Sequence, residues 1–118
     1  AFWGRLSQVF AIGSYDYMFK KESSSFHKKH WEGTSKEIRP SLIIICLGIT
    51  FFLFLTNLSL STSLLLISCI SSGLITSLSI PYFINNILGG HNGDSYGASL
   101  VITETTNLLV LSIILVPN

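Results

Sequence analysis

Charge is what this chain has least of. Of its 118 residues only 11% are Asp, Glu, Lys or Arg, against roughly 25% in soluble domains. Basic residues are absent after Arg39, and the only acids beyond Pro40 are Asp94 and Glu104. The first 39 residues carry seven bases and four acids, a net +3; the remaining 79 carry −2. A 79-residue soluble domain with two charged side chains would lack an adequate wetted surface. This excludes a soluble globule and a nucleic-acid binder built on a basic face. Cysteine is also scarce. Cys46 and Cys69 both lie in apolar runs, with no Cys-x-x-Cys pair or zinc spacing, and read as small buried hydrophobes. No signal peptide opens the chain, because Arg5 interrupts the apolar stretch of residues 1–12. With Ala1 first and Met18 as the only methionine, the chain reads as a fragment of a longer protein. No internal repeat is present.

What remains is long uncharged sequence. Residues 1–14 read as the end of a helix, with Phe2, Leu6, Val9 and Phe10 at helical spacing. Residues 15–40 form a basic loop, broken by Ser23–Ser25 and Gly33 and closed by Pro40. Residues 41–118 read as a helical membrane domain. Residues 41–58 are uncharged and match the roughly 20 residues that cross a hydrocarbon core. Residues 63–87 form a second span and 98–117 a third, separated by a glycine-rich loop at 88–97. The fold class is therefore all-α: a polytopic helical membrane protein of about three transmembrane helices plus the end of a preceding one. In the second span Ser68, Ser72 and Thr76 recur every four residues, as do Gly73 and Ser77. Such small residues either admit a neighbouring helix or bond to their own backbone. By the positive-inside rule the 15–40 loop faces the cytoplasm, and the 88–97 loop returns to the same side.

Three constellations carry chemical potential. In Gly89-Gly90-His91-Asn92-Gly93-Asp94-Ser95-Tyr96-Gly97-Ala98, one reading is a turn with Asp94 capping the next helix. The other is a backbone anion cradle with Asp94 on a divalent cation. Glu104 lies six residues beyond Ala98 in an apolar run. An ionised carboxylate facing lipid there costs at least ~2.5 kcal/mol, so it faces protein, water or a cation, or is protonated. Asp94 and Glu104, ten residues apart, are separated by ~15 Å on a helix and do not share one metal. In His27-Lys28-Lys29-His30-Trp31 the side chains suit a metal, a phosphate or an anionic membrane surface.

The loop and third span together resemble the C-terminal signature of the cobalamin synthase (adenosylcobinamide-GDP ribazoletransferase) family: Gly89-Gly90-x-x-Gly93-Asp94-x-x-Gly97-Ala98, then Glu104. A second stretch, Trp3-Gly4-Arg5-Leu6-Ser7-Gln8-Val9 with Tyr15-Asp16-Tyr17 and Phe26-His27, resembles the family's Gly-Arg helix and the turn and loop after it. Asn92 stands where Thr or Ser is usual, Val101 where an acid or amide is frequent, and Asp16 where Pro is common. The resemblance covers only the C-terminal half of the family. The acidic Asp-Gly-x-x-Asp-x-x-Asp-type motif of the N-terminal half, expected to bind magnesium, is not in this chain.

The resemblance implies a membrane transferase for the last step of cobalamin assembly. An α-ribazole (or α-ribazole 5′-phosphate) hydroxyl attacks the phosphate of adenosylcobinamide-GDP that stays with the product, and GMP leaves, with Mg²⁺ as cofactor. It implies catalytic parts for Asp94, Glu104 and His91, with Asp94 also the metal ligand. Substrate contacts fall to Arg5, Asn92, Gly90, Gly93, Gly97, His27 and His30. The expected setting is the cytoplasmic (inner) membrane of a prokaryote, with active-site loops facing the cytoplasm. The lipid bilayer is then a partner, nucleic acid is not, and a homo-oligomer stays open. A non-enzymatic reading stands beside it: a small membrane subunit or transporter fragment with Glu104 in an ion path. A related phosphoalcohol transferase is a third.

Overall fold

A computed structural model describes residues 1–19, 30–55 and 60–115. Among these are four helices: α1 (Phe2–Ser14), α2 (Thr34–Leu55), α3 (Leu60–Leu88) and α4 (Gly93–Leu115). Three are long and apolar enough to cross a membrane, over Thr34–Phe54, Thr62–Leu88 and Gly93–Ile114. The all-helical membrane class read from composition is the class observed.

Two helix starts differ from the sequence expectation. Gly33, at φ 107°, turns the chain, and its carbonyl accepts the amides of Lys36 and Glu37. The helix therefore begins at Thr34 within the polar segment, and Pro40 lies inside it. Pro40 costs the Lys36 carbonyl its helical partner, and both residues are exposed rather than packed in the core. At the other boundary the glycine-rich stretch is largely helical, because α4 starts at Gly93. Only Gly89–Asn92 form the connection.

The packing is centred on α1, α3 and α4, which contact one another, while α2 packs chiefly against α1. α1 runs antiparallel to α4, and small residues set the crossing. Gly4 lies under Glu104, the Ser7 hydroxyl donates to the Ser99 carbonyl at 3.4 Å, and Ala11 and Ile12 pack with Tyr96. Gly73 on α3 receives the Trp3 indole, which a Cβ would strike.

A polar seam joins α3 to α4. Asn107 is buried, and its Nδ2 donates to Thr76 Oγ1 and to the Thr103 carbonyl, both at 2.8 Å. Its Oδ1 accepts the Ser72 hydroxyl at 3.1 Å. The serine-threonine periodicity thus serves both of its readings. Ser68 bonds only to its own helix, at the Leu64 carbonyl, while Ser72 and Thr76 also reach across.

The molecule extends 55 × 31 × 14 Å, little more than one helix diameter deep. Its apolar flanks consequently face outward, with Ile44, Leu47, Phe51 and Phe54 of α2 all more than 60% exposed. Cys46 is exposed on that flank and Cys69 half-buried. The expectation that both are buried fails at Cys46, because α2 has one neighbour rather than a surrounding core.

Replacing Asn107 with Leu removes the cross-helix bonds but leaves Ser72 and Thr76 with carbonyl partners on their own helix. The expected loss is about 1–2 kcal/mol, measured as a shift in reversible unfolding in mixed micelles.

Candidate functional site

At one end of the helices the Gly89–Asn92 connection meets the segment that follows α1. Gly89 and Gly90 adopt φ 71° and 154°, the left-handed region that disfavours side chains. Gly90 is also a close approach: a Cβ there would stand 3.2 Å from the Asp16 carbonyl and the Met18 backbone. The two segments pair through their backbones. His91 N–H donates to Asp16 O at 2.9 Å, and Met18 N–H donates to His91 O at 2.8 Å.

His91 is the centre of this arrangement. It is fully buried, its ring stacked on Tyr96 (centroids 5.4 Å, 8° between planes) and 5.3 Å from the Tyr15 ring. Nε2 lies 3.0 Å from the Pro81 carbonyl and Nδ1 3.0 Å from Ser95 Oγ. A carbonyl only accepts, so Nε2 carries the proton when the ring is neutral, and Nδ1 and the Asn92 carbonyl, each 3.0 Å from Ser95 Oγ, share its one hydroxyl hydrogen. Burial pushes the His91 pKa below the ordinary 6.5, opposed by the Pro81 carbonyl. All polar atoms of His91 are engaged, so it positions the loop from within.

Asn92 caps α4. Its Oδ1 accepts Ser95 N–H at 2.7 Å, and Ser95 Oγ accepts Asn92 N–H at 2.8 Å, a reciprocal capping box. The cap is therefore Asn92, not Asp94. Asp94 sits two residues further on, exposed in the first turn, where the positive end of the helix favours a carboxylate. Nothing within 4 Å would meet a Cβ at Gly93 or Gly97, so these two glycines leave open space beside Asp94.

The other sequence-selected residues lie elsewhere. Glu104 is ten residues beyond Asp94 on α4, ~15 Å along the axis. It folds across Gly4, where a Cβ would stand 2.6 Å from its Cγ. Arg5 and His30 face a cleft between α1 and α2. His27 lies outside the described residues, as do Lys20, Lys21, Lys28 and Lys29. Among the described residues no three His, Cys, Asp or Glu side chains gather as a metal site. The structure thus joins Gly90, His91 and Asn92 in one loop with Asp94 in the adjoining first turn of α4, brings Arg5 and His30 to one cleft, and sets Glu104 apart. Sequence reasoning missed Ser95, Pro81 and Tyr17 as partners of the loop. Only the Asn92-x-x-Ser95 spacing, a capping box, announced one of them.

These features define a polytopic helical membrane protein with a clasped glycine loop and an exposed carboxylate at one end of its spans. The chain belongs to the cobalamin-5-phosphate synthase family, whose profile matches residues 1–112. It is 45% identical over 116 residues to an adenosylcobinamide-GDP ribazoletransferase of Prochlorococcus marinus, covering 98% of this chain and 44% of the relative. It is 34% identical over 112 residues to the protein of that name from Trichormus variabilis, covering 95% and 43%. The chain spans less than half the length of these relatives. No solved structure matches it.

Two predictions follow from this geometry. The His91 pKa is depressed in the folded state, so its contribution to stability is present above pH 6.5 and lost as pH falls below that value. The thermal midpoint in detergent is expected to drop on acidification below pH 6.5, with a flatter profile in His91→Gln and a loss of roughly 2–3 kcal/mol in His91→Ala. Gly4→Leu is expected to drive Glu104 off α1 and destabilise the α1–α4 pair by about 1–3 kcal/mol, read from the same unfolding curves.

Proposed function

We propose that this chain is the C-terminal part of a membrane transferase that joins α-ribazole, or its 5′-phosphate, to adenosylcobinamide-GDP with release of GMP. The observation that carries this reading is the match of nearly the whole chain to relatives of that name. The hydroxyl oxygen of α-ribazole forms a bond to the phosphorus that stays with the product. The P–O bond to GMP breaks, its electron pair leaves with GMP, and the hydroxyl proton passes to a base. Such a transfer is driven by positioning and neutralisation of charge rather than by covalent catalysis.

In this reading Asp94, exposed beside two open glycine positions, orients the attacking hydroxyl or holds the cation. Magnesium, which neutralises phosphate charge when bound, is commonly held by one or two carboxylates together with substrate phosphates. Asp94 suits that mode, as a single exposed carboxylate at the loop. The Asn92 side chain offers its Nδ2 end to a phosphate, since Oδ1 is committed to the cap. Gly90, Gly93 and Gly97 allow close approach, and His91 sets the loop's shape. Arg5 clamps phosphate with a permanently charged fork, and His30, with His27, supports it. Glu104, a third exposed and lying over Gly4 away from the loop, serves as a base or supporting acid. The basic segment and the glycine loop face the cytoplasm of a prokaryotic inner membrane, with a homo-oligomer left open.

The test uses this chain joined to the N-terminal portion its relatives possess, supplied with adenosylcobinamide-GDP, α-ribazole and Mg²⁺. GMP release is expected, and Asp94→Ala is expected to lower turnover by at least 10²-fold, the scale of a lost charge-positioning group. Near-normal turnover in that variant removes Asp94 from the site. No GMP release by the parent protein turns the reading toward the transporter alternative.

A further inference from the structure

The cleft between α1 and α2 has a volume of ≈ 480 Å³, and its walls include Arg5, Gln8, His30, Trp31, Glu37 and Ser41. That volume falls within the roughly 300–1,000 Å³ of small-molecule sites. Its lining is unusual for a helix crossing in a membrane protein. Arg5 lies nine residues before the end of α1 at Ser14, ~14 Å down the helix from the loop end. A guanidinium facing lipid is costly, so a cleft lined by one suits a polar ligand. Arg5 Nη1 is tethered to Gln8 Oε1 at 3.2 Å, which leaves the other donors of the fork. Glu37 lines the same cleft, yet it forms no ion pair with Arg5, and its carboxylate pairs with no cation among the described residues. Trp31 is half-buried, with one edge against Gly13: its Cζ2 is 3.1 Å from where a Gly13 Cβ would stand. One cleft thus offers a fixed cation, a carboxylate with no cation partner among the described residues, and an aromatic face.

We propose that this cleft binds the guanine nucleotide end of the substrate, with Glu37 and Trp31 selecting the base. Arg5 takes the phosphates through its planar fork. Trp31 stacks on the base, as aromatic side chains do with unpaired nucleobases. The Glu37 carboxylate, which only accepts, receives the parallel N1–H and N2–H bonds of guanine. Adenine presents an unprotonated N1 at that edge, which repels a carboxylate, so Glu37 discriminates between the purines. The assignment rests on the ribazoletransferase reading, which supplies the guanine nucleotide, and adds to it a base-recognition site.

The chain carries two tryptophans, Trp3 and Trp31, so a Trp3→Phe background isolates Trp31 fluorescence. The protein is placed in nanodiscs of uncharged phosphatidylcholine and titrated with GDP, ADP and inorganic pyrophosphate. GDP is expected to quench Trp31 saturably, at least tenfold more tightly than ADP or pyrophosphate. Glu37→Gln is expected to bring GDP to the level of ADP without changing pyrophosphate, and Arg5→Gln to weaken all three. Calorimetric titration of the protein with both tryptophans intact gives the same comparison should Trp3→Phe fail to fold. Equal binding of GDP and ADP, an unchanged GDP affinity in Glu37→Gln, or pyrophosphate binding as tight as GDP overturns the proposal. GMP release by the chain joined to the N-terminal portion of its relatives reads the transferase function separately. Turnover without guanine preference overturns the cleft assignment alone. Guanine-selective binding without turnover supports the cleft and counts against the transferase reading.

Discussion

A neutral imidazole holds the loop end of this molecule together. The ring of His91 joins the Pro81 carbonyl on α3 to Ser95 on α4, while its backbone pairs with Asp16 and Met18 after α1. Three separate segments, of which only the one after α1 is distant in sequence, are thereby fixed by one residue. The rest of the site depends on it. Tyr96 stacks on the ring, Ser95 completes the Asn92 cap, and that cap sets the direction in which Asp94 leaves the helix. Because buried polar groups are costly when unpaired, the ring tolerates neither a second proton nor a missing partner. Gly90 belongs to the same constraint, since a side chain there would strike the segment that His91 binds.

Below the loop the spans associate through small and polar residues. In lipid there is little hydrophobic gain from bringing two apolar helices together, so close backbone approach and hydrogen bonds do the joining. Gly4, Ser7 and Gly73 provide the approach, and Asn107 with Ser72 and Thr76 provides the bonds. Glu104 resolves its burial problem differently, by lying over a glycine on α1 with its carboxylate a third exposed. Arg5, next to that glycine, faces the other way into the α1–α2 cleft. Two ionisable groups adjacent at one crossing are therefore directed into separate environments.

Much of this was legible in the chain. The spans followed from uncharged length, and the family followed from the Gly89–Ala98 pattern with Glu104. Helix starts were less legible. Pro40 reads as an end, yet it sits inside α2, because Gly33 makes the turn upstream of it. Asp94 reads as a cap, yet Asn92 takes that part, because its side chain reaches the Ser95 amide from the position just before the helix. The burial of Cys46 was misread because an apolar run in a membrane helix says nothing about whether protein or lipid lies beside it.

The sequence by itself determined the class of protein, its spans, and the set of polar residues that an apolar phase would force into use. It did so because charge and hydrophobic length are local properties that a bilayer reads directly. Only the tertiary structure decided how those residues are grouped. The antiparallel crossing of α1 and α4 puts Gly4 under Glu104. The same arrangement clasps Tyr17 to His91 and turns Arg5 toward Glu37 across the cleft. Such pairings link positions up to a hundred residues apart. They depend on helix rotation and depth, which a single run of apolar residues leaves undetermined.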